Sequence, residues 1–261
     1  MKPYRAYLLD LDGTIYHGSK IIPESAQFIR QLREAEIPFL YLTNNSTATP
    51  ETFAQRLTDM GLPTTKEEVY TSSMATAAYL AEREEPGTPI YVVGESGLEV
   101  ALKERGFVLT DDNPKYVVVG LDREFTYDKL AIASRAIRNG AILIATNIDP
   151  ALPTERGFFP GGGSLVAAVS TASATKAIAI GKPQTIIINY ALEQLGKDRD
   201  ETIIVGDNLH TDIEAGVKSG IDSLLVLTGY STQEDLAASP FKPTHVEANL
   251  MTWWEKAKSW R

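Results

Sequence analysis

AYLLDLDGTIYHG, residues 6–18, poses the question on which the fold turns. Its opening letters, AYLL, are uniformly apolar and read as a strand buried on both faces. Asp10 then interrupts the run, Asp12 follows two residues later, and Gly13 and Thr14 close it. An isolated Asp-x-Asp at a strand end is commonly a turn former or a helix cap. The alternative is functional, because ligands of open parallel sheets bind just beyond the carboxyl ends of strands. Other strands that carry matching chemistry to the same edge would decide between the two.

Outward from this stretch, apolar runs rich in β-branched residues alternate with segments of helical period, the pattern of a parallel α/β sheet. Ala26, Ile29 and Leu32 recur at helical spacing after Pro23, and IPFLYLT forms a second apolar run ending at Thr43. Residues 49–61 carry helix punctuation: Thr49 to cap, Pro50 in the first turn, Gly61 to close. EVYTSS is a third run, and EEPGTP (84–89) reads as a linker. Beyond it the alternation restarts with IYVVG, YVVVG and AILIATN, then a Gly-rich loop GFFPGGGS, and resumes near Lys176 with AIAIGKP, TIIVGD and SLLVLTG. The expected architecture is a Rossmann-like parallel-sheet core, residues 1–85 and 176–261, with an inserted α/β cap domain at 86–175.

Four groups of polar residues follow apolar runs: Asp10 and Asp12; Thr43, Asn44 and Asn45; Gly181 and Lys182; Gly206 and Asp207, with Asp212 close behind. Clustered carboxylates raise one another's pKa unless a cation sits among them. Hard oxygen ligands without thiolate favour Mg²⁺ over zinc. A hydroxyl, backbone N–H groups and a lysine ammonium beside such a metal make a site for a phosphoryl group.

Composition narrows the alternatives. The 261 residues are 43% apolar and 23% charged, with a net charge of −9. An acidic chain without a basic face argues against a nucleic-acid partner and against anionic lipid. There is no cysteine, which excludes disulfides and Cys-ligated zinc. No apolar run approaches the roughly 20 residues that span a bilayer, and the early charges are unlike a signal peptide. The expected location is cytoplasmic, and the sequons at Asn44 and Asn45 are then chance matches.

Together DLDGT (10–14), LTNN around Thr43, GKP with Lys182 and VGDNLHTD (205–212) resemble, in order, the four motifs of the haloacid dehalogenase superfamily. TNNS, ATNID, TERGFFPGGGS and VGDNLHTDIEAG are closest to its NagD-like phosphatases, the branch with a type-two cap. Spacing agrees. Asp12 to Thr43 holds one helix and one strand, whereas Thr43 to Lys182 holds a whole further α/β domain. A helical cap between the first two motifs, as in the dehalogenases, has no room here.

The resemblance implies roles. Asp10 would be the nucleophile, forming an aspartyl-phosphate. Asp12 would be the general acid and then the general base. Thr43 would bond a phosphate oxygen beside the backbone of Asn44 and Asn45, and Lys182 would neutralise phosphate and Asp10. Mg²⁺ would rest on Asp10, the Asp12 carbonyl and Asp207, with Asp212 behind them. GKP is not a P-loop, since no Ser or Thr follows the lysine. Asn208 would orient Lys182 or the phosphate, or only bond its own loop; His17 and His210 stay open between surface and substrate contact. In the cap, Asn147, Asp149 and Arg156 are expected to help select the leaving group, and Gly161–Gly163 to form a cap loop. The tail MTWWEKAKSW packs on the core or joins a homo-oligomer. The expected activity is a Mg²⁺-dependent phosphatase on small phosphomonoesters. A phosphotransferase or mutase on the same fold and a non-enzymatic phosphate sensor are the rivals.

Overall fold

A computed structural model of the chain describes residues 3–154 and 157–260. Contacts divide it into two compact units, one of residues 1–42, 53–70 and 182–261, the other of 43–52 and 71–181. Both are α/β and Rossmann-like, built on parallel sheets with helices between successive strands.

The first unit is organised by a six-stranded sheet in the order His245–Glu247, Asp222–Val226, Thr202–Gly206, Ala6–Leu9, Phe39–Thr43, Val69–Thr71. The central strands AYLL, FLYLT and TIIVG are buried at every residue, as strands covered on both faces must be. Ala6–Leu9 runs parallel to both neighbours, with Leu9 level with Val205 on one side and Tyr41 on the other. That register brings Asp10 and Asp207 out at one edge, because each follows its strand directly.

Helix Pro23–Glu34 begins with proline in its first turn and buries Ser25, Phe28, Ile29 and Leu32, one face at helical spacing. Phe28 meets Tyr7 edge-on at 5.3 Å and Trp254 at 6.0 Å between ring centroids. The C-terminal helix Leu250–Ala257, capped by Asn249, buries Trp253 and Trp254, and the Trp253 indole N–H donates to the Tyr7 hydroxyl at 3.3 Å. The aromatic tail therefore packs within its own unit.

The second unit carries a five-stranded parallel sheet in the order Ile178–Ala179, Ile142–Ala145, Tyr116–Val119, Pro89–Val93, Val108–Leu109. Its core joins Val93, Val117, Val119, Leu143 and Ala145 to Ala133 and Ile137 of helix Tyr127–Arg138 and Val166 and Val169 of helix Gly162–Ser173.

Three expectations from the sequence change here. The units divide at other points than 85/86 and 175/176. EEPGTP lies inside the second unit, where the Glu84 carboxylate takes hydrogen bonds from Lys115 at 2.6 Å and Tyr116 at 2.7 Å. AIAI does not extend the core sheet; Ile178 and Ala179 pair with Ile144 and Ala145 in the sheet of the second unit. GFFPGGGS is not one loop. Gly157–Pro160 is a strand paired antiparallel with Ala151–Thr154, and Gly161 is the N-cap of the helix that Gly162 and Gly163 open. The glycines are there for space: a Cβ on Gly161 or Gly163 would strike the backbone of Asp149 or Ile148.

Candidate active site

The chemistry of the first unit gathers around Lys182. Its ammonium donates to Asp10 Oδ1 at 2.6 Å, Asp212 Oδ1 at 2.7 Å and the Leu42 carbonyl at 2.9 Å. The side chain is 2% exposed, so three acceptors, two of them carboxylates, satisfy all its protons out of water. The carboxylates hold its pKa above the ordinary lysine value against the opposing pull of burial. Lys182 is a fixed positive charge at neutral pH.

Asp10, Asp207 and Asp212 place one oxygen each within 4.8 Å of one another. Burial pushes the Asp10 carboxyl well above its usual range; Lys182 opposes, and Asp212 and Asp207 push further up. Burial, then Asp212, raises Asp207 to about 7, against the Tyr230 N–H that donates to it. Carboxylates that disfavour their own charge in this way call for a cation. The donor set, all oxygen and negatively charged, fits Mg²⁺.

The cluster sits in a close-fitting cradle. A Cβ on Gly13 or Gly229 would collide with the Asp207 carboxylate, and one on Gly206 with Asp212. Gly13 has φ +81°, which glycine adopts without strain. Its carbonyl accepts from Thr228 Oγ1 at 2.7 Å, tying the loop after Asp222–Val226 to the loop after Ala6–Leu9. Past Asp207 the chain makes one wide helical turn, Leu209–Ile213, in which Asp212 N–H and Ile213 N–H both donate to the Asn208 carbonyl. Such π-type turns concentrate at functional sites. This one brings Asp212 Oδ2 to the Asn208 N–H at 3.2 Å and leaves Oδ1 on Lys182.

Asp12 lies at the mouth of the hairpin Tyr16–His17 and Lys20–Ile21. Burial raises its pKa, opposed by the charges of Arg56 and His17. Arg56 sits over the Tyr16 ring at 4.9 Å and donates to the Gly18 carbonyl at 2.6 Å. His17 is exposed. Asn208 uses its side-chain oxygen to accept from the His210 N–H at 2.9 Å, a bond within its own turn, and the exposed His210 stacks edge-on with Phe241.

Thr43, Asn44 and Asn45 belong to the second unit, together with Asn147 and Asp149. Asn147 is 5% exposed, and its amide is used at both ends: it donates to the Asn44 carbonyl at 2.9 Å and accepts from the Asp149 N–H at 3.2 Å. Asn147, expected to help select the leaving group, thus has both ends of its amide on the protein's own backbone. Asp149 accepts from the Asn44 side chain at 2.9 Å. Arg156 lies outside the described residues.

The family model for haloacid dehalogenase-like hydrolases matches residues 7–108, and a second, HAD-hydrolase-like model matches residues 179–253. The 5'-nucleotidase YutF of Bacillus subtilis (strain 168) is 45% identical across 97% of this chain and 98% of that protein. This chain belongs to the haloacid dehalogenase-like hydrolases. Within them it is NagD-like: the solved NagD of E. coli K-12 superimposes with a TM-score of 0.89 at 37% identity, over 96% of this chain and 98% of that one. The acid sugar phosphatase of Staphylococcus saprophyticus is 47% identical over 96% of both chains. The hydrolase is a phosphatase of this family.

What reading the sequence of this hydrolase missed is the support of its carboxylates. LTGY (227–230) registers in sequence only as the end of a strand, yet Gly229 and the Tyr230 N–H form one wall around Asp207. Gly13 carries a weak signal, since Asp-Gly favours a turn, but its contact, Asp207, is far along the chain, 193 residues beyond Thr14, whose hydroxyl approaches the same carboxylate at 3.5 Å.

Proposed function

We propose that this hydrolase is a Mg²⁺-dependent phosphatase of small phosphomonoesters, sugar phosphates and nucleoside monophosphates first, acting through an aspartyl-phosphate. The observation that carries the reading is the Lys182 ammonium bonded to both Asp10 and Asp212, with Asp207 in the same carboxylate group. The names of the relatives, a 5'-nucleotidase and an acid sugar phosphatase, support the substrate class.

In this mechanism an Asp10 carboxylate oxygen attacks phosphorus and the ester P–O bond breaks. Asp12, whose carboxyl burial pushes above the usual aspartate value, gives its proton to the departing alkoxide. Asp12 then takes a proton from water, the water oxygen attacks phosphorus, and the Asp10–phosphorus bond breaks to release inorganic phosphate. Lys182 holds one Asp10 oxygen and offsets the charge that accumulates. The Asp10 and Asp207 carboxylates and the Asp12 carbonyl, with Asp212 behind, would hold Mg²⁺, which would supply the positive field a phosphate dianion requires. Thr43, the backbone after it, Asn45 and Asn208 would be phosphate ligands, and Asp149 and Arg156 would help select the leaving group.

The test is phosphate release from a panel of phosphomonoesters with Mg²⁺ and no acceptor. Asp10→Asn should fold, bind inorganic phosphate and lose nearly all turnover. Substantial turnover in that variant would sink the nucleophile assignment, and transfer only to an added sugar phosphate would make the enzyme a mutase.

A further inference from the structure

In the second unit, segment 44–48 lies along the carboxyl edge of the five-stranded sheet. The Ser46 carbonyl accepts from Ser73 Oγ at 3.0 Å, and the Thr47 carbonyl from the Gly97 N–H at 3.1 Å. The Asn44 carbonyl takes two donors, Ser72 Oγ at 2.7 Å and Asn147 Nδ2 at 2.9 Å. Both side chains are buried, Ser72 fully and Asn147 to 5% exposure. Two buried donors on one carbonyl fix the direction of that carbonyl, and a peptide unit is planar. The 44–45 bond is trans, so its N–H points opposite to its C=O. The Asn45 N–H accordingly turns away from Ser72 and Asn147 and donates to Thr43 Oγ1 at 3.1 Å. A hydroxyl has one hydrogen and two acceptor lone pairs. With a lone pair of Oγ1 engaged by Asn45, the Thr43 O–H is directed away from Asn45, as a donor.

We infer that Asn147 and Ser72 are positioning residues that, through the 44–45 peptide, set the Thr43 hydroxyl as a hydrogen-bond donor to phosphate. The inference rests on the reading of Thr43 as a phosphate ligand. It assigns Asn147, which follows a strand of the cap, to phosphate binding in place of leaving-group choice. Its consequence is specific: loss of either donor weakens recognition of the phosphoryl group common to all substrates and leaves their ranking unchanged.

The experiment compares Asn147→Ala and Ser72→Ala with wild type, each also in a Thr43→Val background. Competitive inhibition by inorganic phosphate and kcat/KM over sugar, nucleoside and p-nitrophenyl phosphates are measured. Each single variant should weaken phosphate inhibition and kcat/KM by about threefold to tenfold, the worth of one hydrogen bond, by the same factor for every ester. In the Thr43→Val background the same substitutions should add less than about twofold, because residues acting through one group are not additive. A changed ranking of esters with unchanged phosphate inhibition would show that Asn147 touches the leaving group. A full effect persisting without the Thr43 hydroxyl would show general disruption. Either outcome overturns the inference, as does silence of both variants where Thr43→Val alone weakens phosphate binding. If Thr43→Val is itself silent, the phosphate-ligand reading falls and takes the inference with it. Thermal melts check folding; should Asn147→Ala not fold, Ser72→Ala, which removes the other donor to the same carbonyl, carries the test.

Discussion

Single atoms decide how the carboxylates are held. Gly13 and Gly229 both abut the Asp207 carboxylate, but only Gly13 also has positive φ. Gly229→Ala therefore isolates the collision. It should lower Mg²⁺ affinity at least about tenfold in a titration of activity, the scale of losses when the shell behind a metal ligand is disturbed. Gly61 provides the control, with φ +90° and nothing within 4 Å of its added Cβ. Gly61→Ala should cost roughly 1–2 kcal/mol of stability from backbone conformation alone and leave Mg²⁺ affinity unchanged. If the two variants behave alike, the cradle has no role in metal binding. Asp10, Asp12, Lys182 and Asp207 were legible in sequence because each follows an apolar run and is chemically conspicuous there. The glycines against Asp207 were not, since nothing local distinguishes a glycine kept for a neighbour's space from one kept for a turn.

Among the elements, the C-terminal helix is bound to the sheet through a titratable contact. His245 lies 4.7 Å from Trp253 and 6.1 Å from Trp260 between ring centroids. Its Nε2 is 3.0 Å from the Tyr4 hydroxyl, which donates its one proton to Asp222 at 2.9 Å. With that proton so used, Nε2 meets the hydroxyl as a donor. Burial holds the His245 pKa below 6.5, helped by Lys256 and opposed by Asp222 and Glu247. The sign follows: in acid the unfolded histidine binds its proton first, so stability falls as pH drops from the ordinary value through the lowered folded one. Denaturant midpoints should decline over that window, and His245→Phe should flatten the decline. An unchanged slope would assign the acid sensitivity elsewhere. The tail's amphipathic pattern left packing on the core and a homo-oligomer contact both open, because its partners, Tyr4, Tyr7 and Phe28, lie more than 200 residues earlier in the chain.

Taken whole, the chain builds its candidate metal site from its two ends. Asp10 and Lys182 are 172 residues apart in sequence, and Asp207 and Asp212 come later still. A cation bound only by the folded state should stabilise the first unit by about 2.7 kcal/mol when present at a hundred times its dissociation constant. Mg²⁺ should accordingly raise the denaturant midpoint of the wild type, EDTA should reverse the rise, and Asp207→Asn should remove most of it. A midpoint indifferent to Mg²⁺ would remove the metal from the proposal. Among the described residues no helix is long and apolar enough to cross a membrane.

The sequence by itself determined the α/β class, the order of the motifs and the polar residues that follow the apolar runs. These are written in short-range patterns: uniform apolar runs for strands buried on both faces, helical spacing between them, and polar residues at the runs' ends. Tertiary structure alone decided which sheet Ile178 and Ala179 join, where the two units divide, and that Asn147 serves the Asn44 carbonyl. Strand pairing and the choice of partner for a buried amide are settled by register and by the cost of leaving polar groups unsatisfied. Both are properties of residues far apart in the chain, so no local pattern encodes them.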